Sequence, residues 1–290
     1  MRVHFVAIGG AVMHNLAIAL KKKNYIITGS DDEIFEPSKS RLAAYGLLPE
    51  NQGWHPEKIT REIDTIILGM HARADNPELL KAQELGLKIM SFPEYLYEQT
   101  RDKQRIVVAG SHGKTTTTAM IMHVFRTLGM KFDYMAGSQI DGFETMVGLS
   151  DDSMVAVLEG DEYLTSPIDR RPKFHLYMPH IAILNGIAWD HMNVFPTFDN
   201  YVEQFRIFVS KIMPGGSLIY FEGDKEVKKL AEEAHGDFRK IAYKTHGYFQ
   251  NKKGFFGATH NRVVPLKIFG EHNMQNLSAA KEACMAAGVT

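Results

Sequence analysis

IVVAGSHGKTTTTAM, residues 106–120, joins three local patterns in a fixed order. The apolar run 106–109 has the composition of a buried strand, and Gly110 interrupts it. Lys114 and Thr115 then open a pattern typical of a helix. A strand, a glycine turn and a helix N-terminus in this order predict a phosphate-binding loop, because the backbone N–H groups and the helix dipole attract anions there.

The side chains of this loop favour an ATP-binding loop over an ordinary turn. Lys114 is placed to reach the terminal phosphates, and the hydroxyl of Thr115 can ligate the Mg²⁺ that accompanies ATP. The spacing G-x-x-G-K-T is shorter than the general G-x-x-x-x-G-K-[ST] pattern. An ordinary strand–helix turn is the alternative, but it requires neither the lysine nor four threonines. The predicted ATP contacts are Gly110, Ser111, His112, Gly113, Lys114, Thr115 and Thr116.

Length and composition exclude several classes of protein. A chain of 290 residues suits two domains. Lys and Arg number 33 against 34 Asp and Glu, so no basic field predicts a nucleic-acid partner. The single cysteine, Cys284, rules out an intrachain disulfide and fits a reducing cytoplasm. No apolar run approaches the length of a membrane span, so we expect a cytoplasmic protein without a membrane partner.

The N-terminal region contains a second glycine turn. A short apolar strand leads to Gly9 and Gly10, and Asp31 follows the next strand about 20 residues later, where a Rossmann acid would meet a ribose hydroxyl. The dinucleotide fingerprint G-x-G-x-x-G is broken, since Ala7 and Val12 replace its first and third glycines. An NAD-dependent dehydrogenase is therefore a weaker alternative, and a plain tight turn is another.

Strand and helix patterns alternate along the whole chain, which predicts an α/β fold with parallel sheets. A polar stretch at residues 100–104 marks the predicted domain boundary. We expect a Rossmann-like parallel-sheet domain at 1–103, followed by a P-loop NTPase-like α/β central domain at 104–290.

Acidic residues and a histidine follow two later strands. Glu159 comes directly after an apolar run, beside Asp161 and Glu162, and Asp190-His191 follows the next one. Acids at the carboxyl end of a strand near a phosphate loop are where a metal or water ligand lies. A solvated acidic loop is the alternative for the first group, and a structural histidine for the second. Glu159 and His191 are the metal-ligand hypotheses, and for Asp161 and Glu162 a metal ligand and a solvated loop stay open as equal alternatives.

These segments together resemble the Mur ligases, the ADP-forming amide ligases of peptidoglycan synthesis. The resemblance runs along essentially the whole chain. It rests on HFVAIGG and TGSD near the N-terminus, Asn76-Pro77-Glu78, GSHGKTTTT, EGDE, Asp190-His191 and GEHNMQN at 270–276. It implies a reaction in which ATP phosphorylates the lactyl carboxylate of UDP-N-acetylmuramate and an amine attacks the acyl phosphate.

The resemblance also implies residue roles. Lys114 would hold the β- and γ-phosphates, Thr115 one Mg²⁺, and Glu159 with His191 a metal between the γ-phosphate and the substrate carboxylate. The implied catalytic residues are thus Lys114, Glu159 and His191, and the implied metal ligands Thr115, Glu159 and His191. The adenine side of ATP would be contacted by His272, Asn273 and Asn276, and the UDP part of the sugar nucleotide by Gly9, Gly10, Ser30 and Asp31.

Two branches of the family accept UDP-N-acetylmuramate itself. One adds L-alanine, and the other, the murein peptide ligases, adds the peptide L-Ala-γ-D-Glu-meso-diaminopimelate. Residues 161–177 and the GEHNM segment resemble the peptide-adding branch, which is the main prediction. The L-alanine ligase is the first alternative, and a non-catalytic nucleotide-binding module is a more distant one. The oligomeric state stays open.

The chain departs from the family pattern at Ala7, Val12, Gly186 and Ala188. The first two positions usually carry glycine, and the last two usually carry the Asn and Glu of Asn-x-Glu-x-Asp-His. The chain also ends soon after the GEHN segment, before the family's third, amine-binding domain. We therefore expect this chain to be inactive alone.

Overall fold

A computed structural model describes residues 1–252, 254–258 and 262–289. Its first lobe is built on a parallel sheet with the strand order β2-β1-β3-β4. The strands are β1 (Arg2–Val6), β2 (Ile26–Ser30), β3 (Thr65–Leu68) and β4 (Ile89–Ser91). The helices are α1 (Ala11–Lys22), α2 (Ser38–Ala44), α3 (Pro77–Glu84) and α4 (Phe92–Thr100), and a 3₁₀ turn covers Pro56–Lys58.

The second lobe is built on a larger sheet. Its strands are β5 (Gln104–Ala109), β6 (Asp133–Met135), β7 (Val147–Gly148), β8 (Val155–Glu159), β9 (Ile181–Leu184), β10 (Gly216–Phe221) and β11 (Phe238–Tyr243), in the order β11-β10-β9-β5-β8-β6-β7. All neighbours run parallel except β7, which is antiparallel to β6. The helices are α5 (Lys114–Thr127), α6 (Phe198–Ser210), α7 (Lys225–Glu233) and α8 (Glu271–Ala286), with a 3₁₀ turn at Lys173–Leu176.

A small antiparallel sheet precedes α8. It contains β12 (Tyr248–Asn251), β13 (Gly254–Ala258) and β14 (Val263–Leu266). The sequence predicts short strands and turns at 241–268, and within that range residues 253 and 259–261 lie outside the described residues.

Local sequence explains where several helices begin. The side chain of Asn76 accepts hydrogen bonds from the backbone N–H groups of Glu78 and Leu79 and so caps α3. Ser91 and Glu94 form a reciprocal capping box at the start of α4. Polar residues that satisfy the first free N–H groups therefore fix these helix starts.

The fold prediction is confirmed: two α/β units follow one another, with a parallel sheet first and a phosphate-loop unit second. The hairpin of β6 and β7 was not expected, because strands of three and two residues give too short a pattern to recognise. In the described residues, no helix is both long and apolar enough to cross a membrane.

The two lobes meet at a buried arginine. Arg105 is only 1% exposed, although it carries a positive charge. Its guanidinium donates hydrogen bonds to backbone carbonyls of Thr100, Arg101 and Lys103 on the N-terminal side, and of Tyr177 and Met178 on the other. Burial lowers the pKa of this group. Carbonyl dipoles therefore replace the water that the charge would otherwise require.

Candidate functional site

The loop after β5 takes a shape that only glycine permits. Gly110 and Gly113 have φ values of 126° and 73°, in the left-handed region. A Cβ on Gly110 would lie 3.0 Å from the backbone N of Asn185, and one on Gly113 would lie 2.2 Å from Oδ1 of Asn276. The glycines thus allow the loop to pack against β9 and α8, so that α5 begins directly at Lys114.

Lys114 is held over this loop by two acceptors. Its Nζ lies 2.7 Å from the carbonyl oxygen of Gly110 and 2.8 Å from Oε2 of Glu162. Glu162 is fully buried, and its Oε1 accepts a hydrogen bond of 3.0 Å from the hydroxyl of Tyr201. The hydroxyls of Tyr201 and Ser111 are 3.0 Å apart. Glu162 and Tyr201 therefore position the loop lysine; the sequence had suggested Glu162 only as an open metal-ligand candidate and Tyr201 not at all.

Thr115 and Glu159 form a second polar group beside the lysine. The Thr115 hydroxyl donates to Oε1 of Glu159 at 2.8 Å, and the backbone N–H of Gly137 donates to Oε2 at 2.7 Å. Burial raises the pKa of Glu159 despite these hydrogen bonds. A hydroxyl and a carboxylate in contact at a helix N-terminus are oxygen donors of the type that Mg²⁺ prefers.

His191 belongs to a different acidic group. One donor atom from each of Glu162, Asp190 and His191 lies within 4.8 Å of the others. His191 Nε2 is 3.8 Å from Oε1 of Glu162 and 3.9 Å from Oδ2 of Asp190. The backbone of His191 has φ 53°, a strained value for a residue that is not glycine. The predicted ligands Glu159 and His191 thus have different nearest partners, and Asp190 and Glu162 join the histidine.

The neighbouring acid Asp161 does not contribute to that group. Burial disfavours its charged form, but the ammonium group of Lys173 pairs with it and lowers its pKa. Its carboxylate is therefore committed to an ion pair on the same loop.

A cavity of about 380 Å³ opens where α5 and α8 begin. Residues predicted from two distant stretches line it together: His112, Gly113 and Thr116 from the loop and helix start, and His272, Asn273 and Asn276 from α8. Asn185, Tyr243 and Gln275 line it as well and were missed. Asn185 directly follows β9, a position at which a polar residue could have been noticed.

Asn185 organises the floor of this cavity. Its Oδ1 accepts from the hydroxyl of Tyr243 at 3.0 Å, and its Nδ2 donates to Oγ1 of Thr117 at 3.0 Å. That threonine hydroxyl donates in turn to Oδ1 of Asn276 at 3.3 Å. The network joins β9, β11, α5 and α8, so the cavity is built from four elements.

The first lobe has a cavity of about 440 Å³ at its own glycine turn. Its lining residues are Gly9, Gly10, Ala11, Asp31, Asp32, Glu33, Phe35, Glu36, Ser38 and His71. Oδ2 of Asp31 accepts a 2.7 Å hydrogen bond from the backbone N–H of Gly9. Burial raises the pKa of Asp31 to about 6.

Of the predicted contacts in this lobe, Gly9, Gly10 and Asp31 line the cavity, but Ser30 lies beneath it. Ser30 is fully buried, and its carbonyl oxygen accepts from the backbone N–H groups of Ala7 and Ile8. Its role is therefore to hold the turn in place.

The structure shows how two of the departures from the family pattern, at Ala7 and Gly186, are accommodated. Ala7 has φ 68°, a conformation that suits the glycine it replaces. At Gly186, a Cβ would lie 2.1 Å from Cε1 of His112. The imidazole of His112 thus fills the space that a side chain at 186 would occupy.

Comparison with known proteins gives two family matches. Residues 108–284 match the Mur ligase middle domain. Residues 2–104 match a domain described as Mur ligase family, catalytic domain.

Curated relatives match along all or nearly all of the chain. The UDP-N-acetylmuramate--L-alanyl-gamma-D-glutamyl-meso-2,6-diaminoheptandioate ligase of Escherichia coli K12 is 30% identical over 300 residues, which span 100% of this chain and 65% of that protein. The UDP-N-acetylmuramate--L-alanine ligase of Rubrobacter xylanophilus is 29% identical over 290 residues, 97% of this chain and 62% of its own length. The chain thus spans slightly less than two thirds of these relatives.

A solved structure also superimposes closely. The UDP-N-acetylmuramate:L-alanyl-gamma-D-glutamyl-meso-diaminopimelate ligase from Neisseria meningitides has a TM-score of 0.86 at 25% identity, covering 99% of this chain and 94% of that one. Because the family matches together extend over nearly all of the sequence, the chain belongs to the Mur ligase family.

Proposed function

We propose that this chain is the sugar-nucleotide- and ATP-binding part of an ADP-forming amide ligase that joins the lactyl carboxylate of UDP-N-acetylmuramate to a peptide amine. The observation that carries the proposal is the grouping around the loop after β5. There the residues that follow three strands come together: Lys114 and Thr115 after β5, Glu162 after β8, and Asp190 with His191 after β9. We place the boundary between the two binding domains at residues 103 and 104.

The charges explain why such a site suits phosphoryl transfer to a carboxylate. A γ-phosphate and a carboxylate repel each other, so cationic groups must lie between them. Lys114 would move from Glu162 to the phosphates, and Glu162 would stay positioned by Tyr201. The nucleotide base would occupy the cavity at α8, against Asn273 and Asn276.

The oxygen and imidazole donors fit Mg²⁺. Thr115 with Glu159, and Glu162 with Asp190 and His191, would hold it, and Mg²⁺ would supply neutralisation of the phosphate charge. No protein nucleophile is needed, because the amine attacks the acyl phosphate directly.

In the first lobe, Asp31 would accept a hydrogen bond from a ribose hydroxyl and the turn at Gly9 and Gly10 would face the diphosphate. The peptide L-Ala-γ-D-Glu-meso-diaminopimelate is the proposed amine substrate, in line with the relatives from Escherichia coli and Neisseria. L-alanine is the second candidate for the amine, because the relative from Rubrobacter is an L-alanine ligase. A cytoplasmic location stays a prediction.

Calorimetric titration of the chain tests the proposal. We expect UDP-N-acetylmuramate and the magnesium complex of a non-hydrolysable ATP analogue to bind at separate sites, each with a stoichiometry near one. Binding of NADH in place of the UDP-sugar would overturn the assignment in favour of a dehydrogenase. Binding of the ATP analogue without any UDP-sugar would favour a nucleotide-binding module.

The amine is tested separately with the complete protein. Phosphate release in the presence of UDP-N-acetylmuramate and Mg-ATP should depend on added tripeptide and not on L-alanine. The opposite dependence would select the L-alanine ligase.

A further inference from the structure

Two polar side chains lie on the buried face of α1. His14 is 2% exposed and Asn15 is fully buried, next to the apolar residues Leu16 and Ile18 of the same helix. Burying two polar groups is costly unless every donor and acceptor is paired. Their partners therefore show what this part of the helix is built to hold.

The contacts of His14 define its tautomer. Its Nε2 lies 2.9 Å from Nδ2 of Asn15, an atom that can only donate. Nε2 must therefore accept, and the proton lies on Nδ1, which is 2.9 Å from the carbonyl oxygen of Gly10 and 3.0 Å from Oγ of Ser38. Burial lowers the pKa of His14, which agrees with a neutral ring. Gly10 and Ser38 both line the cavity of the first lobe.

Asn15 continues the chain of hydrogen bonds into the second lobe. Its Nδ2 also donates to the carbonyl oxygen of Ala11 at 2.7 Å. Its Oδ1 accepts from the backbone N–H of Met146 at 3.0 Å. Each polar atom of the amide is thus satisfied in one orientation, which fixes the direction of the network.

Met146 ends the segment 136–146 that joins β6 to β7, here called the β6–β7 loop. The two ends of this loop are tied together, because Ala136 N–H donates to the carbonyl oxygen of Met146 at 2.9 Å. The next residue, Gly137, donates its N–H to Oε2 of Glu159. A continuous path therefore runs from the cavity of the first lobe to the carboxylate beside Thr115.

We propose that His14 and Asn15 are positioning residues that couple occupation of the first-lobe cavity to the placement of Glu159. The inference rests on the proposed function, since it takes a UDP-sugar and Mg-ATP as the two ligands. A sugar nucleotide that shifts the turn at Gly10 moves His14, Asn15 and the β6–β7 loop with it. The carboxylate is then set for the metal only when the first lobe is occupied.

Other contacts between α1, α2 and the β6–β7 loop are unsuited to this task. Lys22 pairs with Glu144 at 2.6 Å and Arg41 with Gln139 at 3.0 Å, but Arg41 is only half-buried and the other three residues are exposed. Exposed pairs of this kind contribute little and tolerate rearrangement. The buried network cannot rearrange without leaving a polar group unpaired.

The test compares the affinity for the magnesium complex of a non-hydrolysable ATP analogue with and without saturating UDP-N-acetylmuramate. In the native chain we expect the sugar nucleotide to tighten this affinity by about 5- to 150-fold, the usual range of coupling between sites. In Asn15→Ala the tightening should fall to less than about twofold. Affinity for the ATP analogue alone should change little, since neither His14 nor Asn15 lines the cavity at the start of α5 and α8.

Paired variants separate positioning from packing. His14→Gln keeps one donor and one acceptor and should retain the coupling, whereas His14→Leu should lose it. Lys22→Ala removes an exposed contact with the same loop and should behave like the native chain. If Asn15→Ala does not fold, the comparison of His14→Gln with His14→Leu decides the question.

Amide hydrogen exchange gives a readout without ligands. Asn15→Ala should speed exchange at Met146 and also at Gly137, whereas Lys22→Ala should leave both unchanged. Unchanged exchange at Gly137, or equal coupling in all folded variants, overturns the inference. Absence of any UDP-N-acetylmuramate binding to the native chain overturns the proposed function and the ligand coupling with it, and exchange at Gly137 then decides alone whether the path exists.

Discussion

At the scale of single residues, burial changes what a carboxylate does. Asp31 and Glu159 both have raised pKa values because they are buried, while Asp161 has a lowered one because Lys173 pairs with it. Sequence shows only that acids follow strands. It could not show which acid has a lysine partner, since Lys173 comes from a turn twelve residues further along the chain.

Asp31 should make stability depend on pH. Its pKa rises from an ordinary 3.8 to about 6 in the folded chain, so between about pH 4 and 6 the native state keeps a proton that the unfolded chain has lost. The free energy of unfolding should therefore fall as pH rises through this window. Asp31→Asn should remove that component, as measured by urea unfolding at pH 4 and pH 7. An equal change in the free energy of unfolding between pH 4 and pH 7 in the native chain and in Asp31→Asn would contradict this role of Asp31.

Lys114 should decide nucleotide affinity. A charged hydrogen bond to phosphate is worth about 1.5–3 kcal/mol, so Lys114→Met should weaken binding of the Mg-ATP analogue by about 10- to 150-fold. Calorimetry measures the loss, and a thermal unfolding scan shows whether the variant stays folded when Glu162 has lost its lysine partner. Lys131→Ala, an exposed lysine, is the control and should bind normally. Native affinity in Lys114→Met would contradict the loop assignment.

At the scale of elements, the sequence predicted those with strong local signals. The glycine loop after β5 and the start of α5 followed from Gly110, Gly113 and Lys114, because neighbouring residues determine glycine turns and helix starts. The hairpin of β6 and β7 and the cavity residue Tyr243 could not be predicted, because they depend on contacts between distant parts of the chain. The same holds for the grouping of His191 with Glu162.

The cap of α3 should carry measurable stability. Asn76 is buried and accepts from two backbone N–H groups at the helix start. Asn76→Ala should therefore lower the free energy of unfolding by about 0.5–2 kcal/mol in urea unfolding. Asn76→Asp keeps the acceptor and should cost much less. Equal losses in both variants would indicate that packing, and not capping, is responsible.

At the scale of the whole molecule, the two lobes share buried structure. One apolar cluster contains side chains of both lobes, among them Phe5 and Leu16 from the first and Met135 and Leu158 from the second. The hydrogen bonds of the Arg105 guanidinium also join the two lobes at this junction. The lobes are therefore held together by packing and by a charge, beyond their covalent link.

Removing the arginine should destabilise the whole chain. Arg105→Met would remove the guanidinium that donates to five carbonyl oxygens, those of Thr100 and Tyr177 in buried hydrogen bonds and the other three in part-buried ones. We expect a loss of more than about 3 kcal/mol in the free energy of unfolding. The exposed Arg101→Ala should cost less than about 0.5 kcal/mol. Urea unfolding measures both. A small effect of Arg105→Met would show that water replaces the guanidinium.

The five carbonyl oxygens that accept from Arg105 also limit where this chain can be recombined with its relatives. A lobe exchange made between residues 103 and 104 would take the arginine from one parent and the acceptors of Thr100, Arg101 and Lys103 from the other. Chimeras should therefore fold best when residues 100–105 are inherited as one piece together with the backbone at Tyr177 and Met178. The junction is a shared part of both lobes and not a cutting point between them.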